Sequence, residues 1–213
     1  MNKYFNKKDI YKLPFFILSL TLAELGIACY YTARLGTDPI SVFVEGVSFH
    51  VDLTVGEIST ICNIILLIMT FFLYRELIGI GTVLSTLLGG PLIDLFYGSL
   101  LKVFPTDMVL MSTRIIIIIA ALIIYPIGLG GMIICDLGIG PFSFPPLYLT
   151  KKTNIDIKYT QIITDATFFM IGVLLGGVYG VGTIVSVFLT GPMMEMFMKL
   201  LDPLLKKMEP DDD

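Results

Sequence analysis

Apolar residues run in six long blocks, at about 14–34, 54–74, 78–101, 109–134, 159–178 and 180–200. A helix rises about 1.5 Å per residue and the hydrocarbon layer is about 30 Å thick, so about 20 apolar residues cross it. Each block has roughly that length, which predicts six transmembrane helices. Two shorter segments interrupt the series, Ile40 to Val51 and Phe142 to Thr150. In the first, Ile40, Phe43, Val44, Val47 and Val51 form one helical stripe, with Ser41, Glu45, Ser48 and Asp52 opposite. Twelve helical residues reach only about 18 Å, so this segment reads as a re-entrant or interfacial half-helix. The second carries Pro145 and Pro146, which do not suit a helix interior, and it too is poorly built to span.

The polar interruptions recur. LGTDPIS, Leu35 to Ser41, returns 102 residues later as LGIGPFS, Leu137 to Ser143. At an offset of 101, IGTVLSTLLGGPLIDLF (Ile80 to Phe96) meets VGTIVSVFLTGPMMEMF (Val181 to Phe197). Chance likeness between apolar runs matches Leu to Ile, not Gly-Pro to Gly-Pro, so an internal duplication is expected, each half reading helix, short segment, helix, helix. If the short segments do not cross, the halves are inverted; if they cross, there are eight spans and the halves run parallel. With the N-terminus inside, Lys and Arg divide 11 inside to 3 outside for six spans and 12 to 2 for eight, so charge does not choose between them. Length favours six crossings. The expected organisation is a cytoplasmic segment 1–13, a first repeat 14–104, a second repeat 105–201 and an acidic cytoplasmic tail 202–213.

Composition narrows the class. Hydrophobic residues make up 55% of the chain and charged ones 15%, with a mean hydropathy of +0.87, which leaves too little polar surface for a soluble domain. The net charge of −4 is matched by Glu209, Asp211, Asp212 and Asp213, so the tail alone is acidic and no basic patch points to nucleic acid. Lys3, Lys7, Lys8 and Lys12 resemble a signal-peptide n-region, but the following run is too long and lacks a cleavage site, so an uncleaved first helix in a cell membrane is expected. Cys29, Cys62 and Cys135 lie inside or at the end of apolar runs without a C-x-x-C, which suits small buried hydrophobes rather than a disulfide or metal site.

Leu-Gly-x-x-Pro behind the first helix, Gly56 opening the second, and Gly-x-Gly-Thr leading to an acidic residue in the third (Gly79 to Asp94) resemble the YczE/YitT-type bacterial membrane proteins. The resemblance covers about residues 14 to 200, and departs from the usual pattern at Ile40 and Ser85. It implies a multi-pass membrane protein of the kind usually described as uncharacterised, with transport as one proposal.

Candidate chemistry lies in the polar residues of the apolar blocks. Glu24 falls near the middle of the first helix, where a charge costs about 2.5–3.5 kcal/mol on insertion scales, so it needs a partner or a proton; its counterpart is Pro126. Ser59 and Asn63 correspond to Gln161 and Asp165, four polar groups that must face one another, water or a ligand. Gly81, Ser85 and Gly89, with Gly182, Ser186 and Thr190 in the other half, form small-residue seams for close helix packing. Thr82 and Thr183, beside those seams, are expected either to pack or to line a central cavity. Asp94 and Glu195 read as interfacial caps, Arg114 as a snorkelling residue and His50 as exposed. At the half-helix N-termini, Asp38 suits an N-cap and Pro39 the first turn, with Ser41 and Ser143 in the first turns. Re-entrance of both would create an anion-favouring end to a site.

There is no H-E-x-x-H, G-x-S-x-G or P-loop, and His50 is the only histidine, so neither an enzyme nor a metal or cofactor is expected. Inverted repeats, broken short helices and mid-depth polar residues are the features secondary transporters combine. The expected function is a small-molecule permease with a site at the repeat interface, acting as a homodimer because six helices enclose little volume. A substrate-binding membrane subunit and a membrane-embedded regulator are the rival expectations.

Overall fold

A computed structural model of the chain describes residues 11–105 and 110–206. The expected N-terminal segment lies largely outside the described residues, as does most of the expected acidic tail. The described residues form eight α-helices and no strand: α1 (Leu13–Ala33), α2 (Pro39–Ser48), α3 (Val55–Tyr74), α4 (Ile80–Val103), α5 (Met111–Cys135), α6 (Phe144–Thr153), α7 (Ile157–Leu174) and α8 (Val181–Lys206). Five of them, α1, α3, α4, α5 and α8, are long and apolar enough to cross a membrane. The block expected at 159–178 appears as α7, which has 18 residues and carries Lys158, Gln161 and Asp165, and it is not among the five. A helix of that length reaches about 27 Å, slightly less than the hydrocarbon layer.

Local sequence explains the boundaries. α1 stops where Arg34 turns left-handed (φ 55°) and Gly36 follows at φ +102°; α5 stops at Asp136 (φ 50°) with Gly138 at φ +114°. A glycine at each second position accepts a conformation that side chains resist. Thr54 and Glu57 form a reciprocal capping box that starts α3. The prolines of the second short segment fall in the first turn of α6, which then runs to an Asn154 cap.

Glycines set the packing. α1 and α5 lie against each other in opposite directions: Gly26 abuts Tyr125, Gly128 abuts Ala23, and Gly131 abuts Ser19. A Cβ on Gly128 would sit 2.3 Å from the Ala23 nitrogen, so the two backbones meet with no room for a side chain. α4 runs parallel to α1, Gly81 on Phe16 and Gly89 on Glu24, while α8 runs parallel to α5, Gly182 on Ile118 and Gly130 on Met194. α3 runs antiparallel to α4, with Gly56 and Thr60 on Gly90. It follows that α1 ends and α3 begins at the same end of the bundle, and α2 connects them there. The first short helix packs on α7, through Gly46 and Val42 on Gly172, and on Gly177 just beyond it. α6 sits at the other end, where Lys151 pairs with Glu76 at 3.6 Å near the start of α4.

Two reciprocal clasps join the chain's halves. The Gly81 amide donates to the Leu137 carbonyl, and the Gly182 amide donates to the Leu35 carbonyl, each at 2.8 Å. Thr82 and Thr183 are buried beneath these contacts, against Gly138 and Gly36, and each accepts from the amide three residues earlier, Gly79 or Gly180. They seat the opposite loop. Outward, Phe72, Ile116 and Phe188 are each at least two-thirds exposed, an apolar exterior suited to lipid.

Candidate functional site

The break after α1 delivers Asp38 into the interior. Its Oδ1 accepts from the Ile40 and Ser41 amides, both at 3.2 Å, capping α2 as its sequence position predicts. Its Oδ2 is buried without a hydrogen-bond partner. At α2 the free amides thus hold a carboxylate of the chain itself. At the second segment, Pro141, Pro145 and Pro146 lack the amide protons an anion-favouring end would need, and Ser143 lies exposed in a short 3₁₀ turn.

Glu24 and Asn63 meet at Gly89. Without a side chain there, the Glu24 Oε1 comes within 3.0 Å, and the Asn63 Nδ2 within 4.0 Å, of the position a Cβ would occupy. The second oxygen of Glu24, Oε2, and the amide oxygen of Asn63, Oδ1, are buried and unpartnered. Ser59 is buried one turn before Asn63 on α3. On the α5 and α8 side, the Tyr30 hydroxyl and Thr190 Oγ1 face each other without closing a hydrogen bond of ordinary geometry. The Tyr30 ring stands edge-on to Tyr125, centroids 6.0 Å apart.

Asp165 is half-buried and accepts from Gln161 at 2.9 Å, so the polar pair on α7 is largely satisfied within its own helix. Buried polar groups in proteins are almost always hydrogen-bonded, which makes this concentration of unpartnered atoms the feature most in need of an occupant.

Tyr31 lines a crevice of about 340 Å³ together with Arg34, Glu45, Asp94 and Tyr97 among others. Its hydroxyl donates to the Ser41 carbonyl at 3.2 Å, and its ring leans on Tyr97. Ser41 and Glu45 are 5% exposed, so the first part of the polar stripe turns inward, while Ser48 is half-buried and Asp52, beyond α2, is exposed. The cause is local: Glu45 Oε2 accepts from the Val178 amide at 2.9 Å and feels the Arg34 charge. Burial pushes the Glu45 carboxyl up from its ordinary range against both contacts.

The remaining candidates are structural in geometry. Ser85 and Ser186 donate to the carbonyls of Thr82 and Thr183, within the glycine seams. Asp94 accepts from Thr54 and from the Gly56 amide, so α4 caps α3. Glu195 pairs with Lys199 at 2.8 Å, and His50 is exposed, its Nε2 3.0 Å from the Leu175 carbonyl. All three cysteines are free, and among the described residues no group of three or more His, Cys, Asp or Glu is placed to hold a metal ion. Sequence reasoning missed Tyr30, Tyr125 and Arg34, since nothing in linear spacing separates a site-lining tyrosine from a packing one.

Residues 10–199 match a family described as a family of unknown function, DUF6198. The chain belongs to that family. Among its relatives are an uncharacterized protein of Haemophilus influenzae, 23% identical over 87% of this chain and 82% of that protein. Two come from Bacillus subtilis, each 26% identical: the uncharacterized protein YyaS, over 90% of this chain and 94% of its own, and the uncharacterized membrane protein YczE, over 85% and 83%. No solved structure matches the chain. The glycine and proline motifs thus carried a YczE-type resemblance correctly. With five apolar helices of membrane-crossing length and a relative described as a membrane protein, this family member is a multi-pass helical membrane protein.

Proposed function

We propose that the chain is a small-molecule membrane transporter whose two halves are inverted repeats of three crossings each, with α7 as the sixth crossing and α2 and α6 as re-entrant half-helices. The antiparallel α1–α5 contact supports this: Gly26 on Tyr125 and Gly128 on Ala23 are the same contact with the halves exchanged, at an offset of 102. The paired clasps, Gly81 to Leu137 and Gly182 to Leu35, support it in the same way. The Lys and Arg distribution, 11 to 3, favours cytoplasmic termini in a cell membrane.

One observation carries the transport reading. Glu24 and Asn63, which meet at Gly89, and Asp38, which caps α2, each bury an unpartnered oxygen, and breaks in helices are where inverted-repeat transporters put their substrate. Helix-to-helix glue would have closed these bonds. Alternating access is tested with Asn63→Cys in a protein whose native cysteines are replaced, reconstituted in vesicles. A membrane-impermeant methanethiosulfonate applied from either face modifies this cysteine if the site opens to both sides. Modification from one face only points to a substrate-capturing subunit, and modification from neither ends the transport reading.

A further inference from the structure

A crevice of about 340 Å³ opens at the end of the bundle where α1 ends and α3 begins, and the transport reading leaves its charged groups unused. Pockets for small molecules run from roughly 300 to 1,000 Å³, so a compact ligand fits. Three charged side chains line it: Arg34 at the end of α1, Glu45 on α2 and Asp94 on α4. The chain itself engages most of the polar atoms there. Asp94 accepts from the Thr54 hydroxyl on one oxygen and from the Gly56 amide on the other. The Tyr31 hydroxyl donates to the Ser41 carbonyl, and the Ser48 hydroxyl to the Glu45 carbonyl. Glu45 gives Oε2 to the Val178 amide, which leaves Oε1 without a donor among the described residues. Arg34 is the least satisfied: its Nε is buried without a partner, and its guanidinium forms no ion pair among the described residues.

Arg34 and Glu45 therefore line one space without pairing, the first with open donors and the second with an open acceptor. A simple anion drawn to Arg34 would also meet the Glu45 and Asp94 charges, and a simple cation drawn to Glu45 would meet the Arg34 charge. A molecule carrying both signs answers each with its opposite: its carboxylate accepts from the planar N–H donors of Arg34, and its ammonium donates to Glu45 Oε1. Phe49, Leu53 and Val55 line the same crevice and offer apolar surface to a hydrocarbon side chain. We propose that this crevice binds a small zwitterion of the α-amino-acid class with an apolar side chain, held by Arg34 at the carboxylate and by Glu45 at the ammonium.

The experiment follows thermal unfolding of the full chain in detergent against three probes of one skeleton: leucine, 4-methylpentanoate, which lacks the amine, and 3-methylbutylammonium, which lacks the carboxylate. A ligand that binds the folded state raises the midpoint by mass action. Leucine raises it with saturation, and each of the other two binds about tenfold more weakly or less, having lost one charge-assisted contact. Arg34→Gln weakens the leucine response about tenfold or more, and so does Glu45→Gln, which keeps an oxygen for the Val178 amide. Glu195→Gln, whose parent side chain is exposed and paired with Lys199, leaves the response unchanged. Should a variant fail to accumulate as a monodisperse protein, the three probes on the wild-type chain decide alone. The proposal is overturned if leucine gives no saturable shift, if either single-charge probe binds as tightly as leucine, or if the response survives in folded Arg34→Gln. Asn63 does not line the crevice, so its cysteine accessibility and the leucine response succeed or fail separately.

Discussion

Gly128 holds α1 and α5 together by having no side chain. A methyl group there would lie 2.3 Å from the Ala23 nitrogen and 2.6 Å from the Ser19 carbonyl oxygen, so the backbones themselves must part. Gly128→Ala is expected to destabilise by about 1–3 kcal/mol, the usual cost of overpacking, read as a lower thermal midpoint in detergent. Gly98 is the contrast, with nothing within 4 Å of its would-be Cβ. Gly98→Ala should be neutral or gain up to about 1 kcal/mol from helix propensity. Residue-level legibility was uneven for a physical reason. Glu24 and Asn63 stood out because a polar group in an apolar block is costly wherever it points. Asp38 reads as a cap because that role follows from spacing to Pro39, but the burial of its second oxygen depends on tertiary packing that spacing does not carry. The two central tyrosines carried no such mark.

At the scale of elements, helix ends are held by residues of other helices. Asp94 on α4 binds the Thr54 hydroxyl and the Gly56 amide, so it closes the first turn of α3 from outside. Asp94→Ala is expected to cost about 1 kcal/mol or somewhat more, as for lost caps, with faster amide exchange at residues 54–58. Its counterpart Glu195 pairs only with exposed Lys199, so Glu195→Ala should leave the midpoint unmoved. The order of long and short helices was readable from run length, because helix rise and bilayer thickness are both constants. The orientation of α2 was not. Its stripe of Ser41, Glu45, Ser48 and Asp52 did not reveal that Glu45 is buried on the Val178 amide of the α7–α8 connection while Asp52 is exposed. Thr82 and Thr183, expected either to pack or to line a cavity, lie in the clasps under Gly138 and Gly36.

For the whole molecule, recurrence at offsets of 101 and 102 gave the equivalences between positions but not which equivalent positions touch. The structure adds that α2 of the first half packs on α7 of the second, so the candidate site draws on both halves. The arrangement has a further asymmetry: Gly90 is buried against Gly56 and Thr60 of α3, while its counterpart Gly191 has nothing within 4 Å. The central claim is that the halves are inverted, placing α2 and α6 on opposite faces of the membrane. Asp52 follows α2 and Lys152 lies in α6, and both are exposed. The direct measurement replaces Cys29, Cys62 and Cys135, introduces Asp52→Cys or Lys152→Cys singly, and applies a membrane-impermeant maleimide to right-side-out and inside-out vesicles. Labelling of the two positions from opposite faces is the predicted result; labelling of both from the same face would contradict the inverted arrangement.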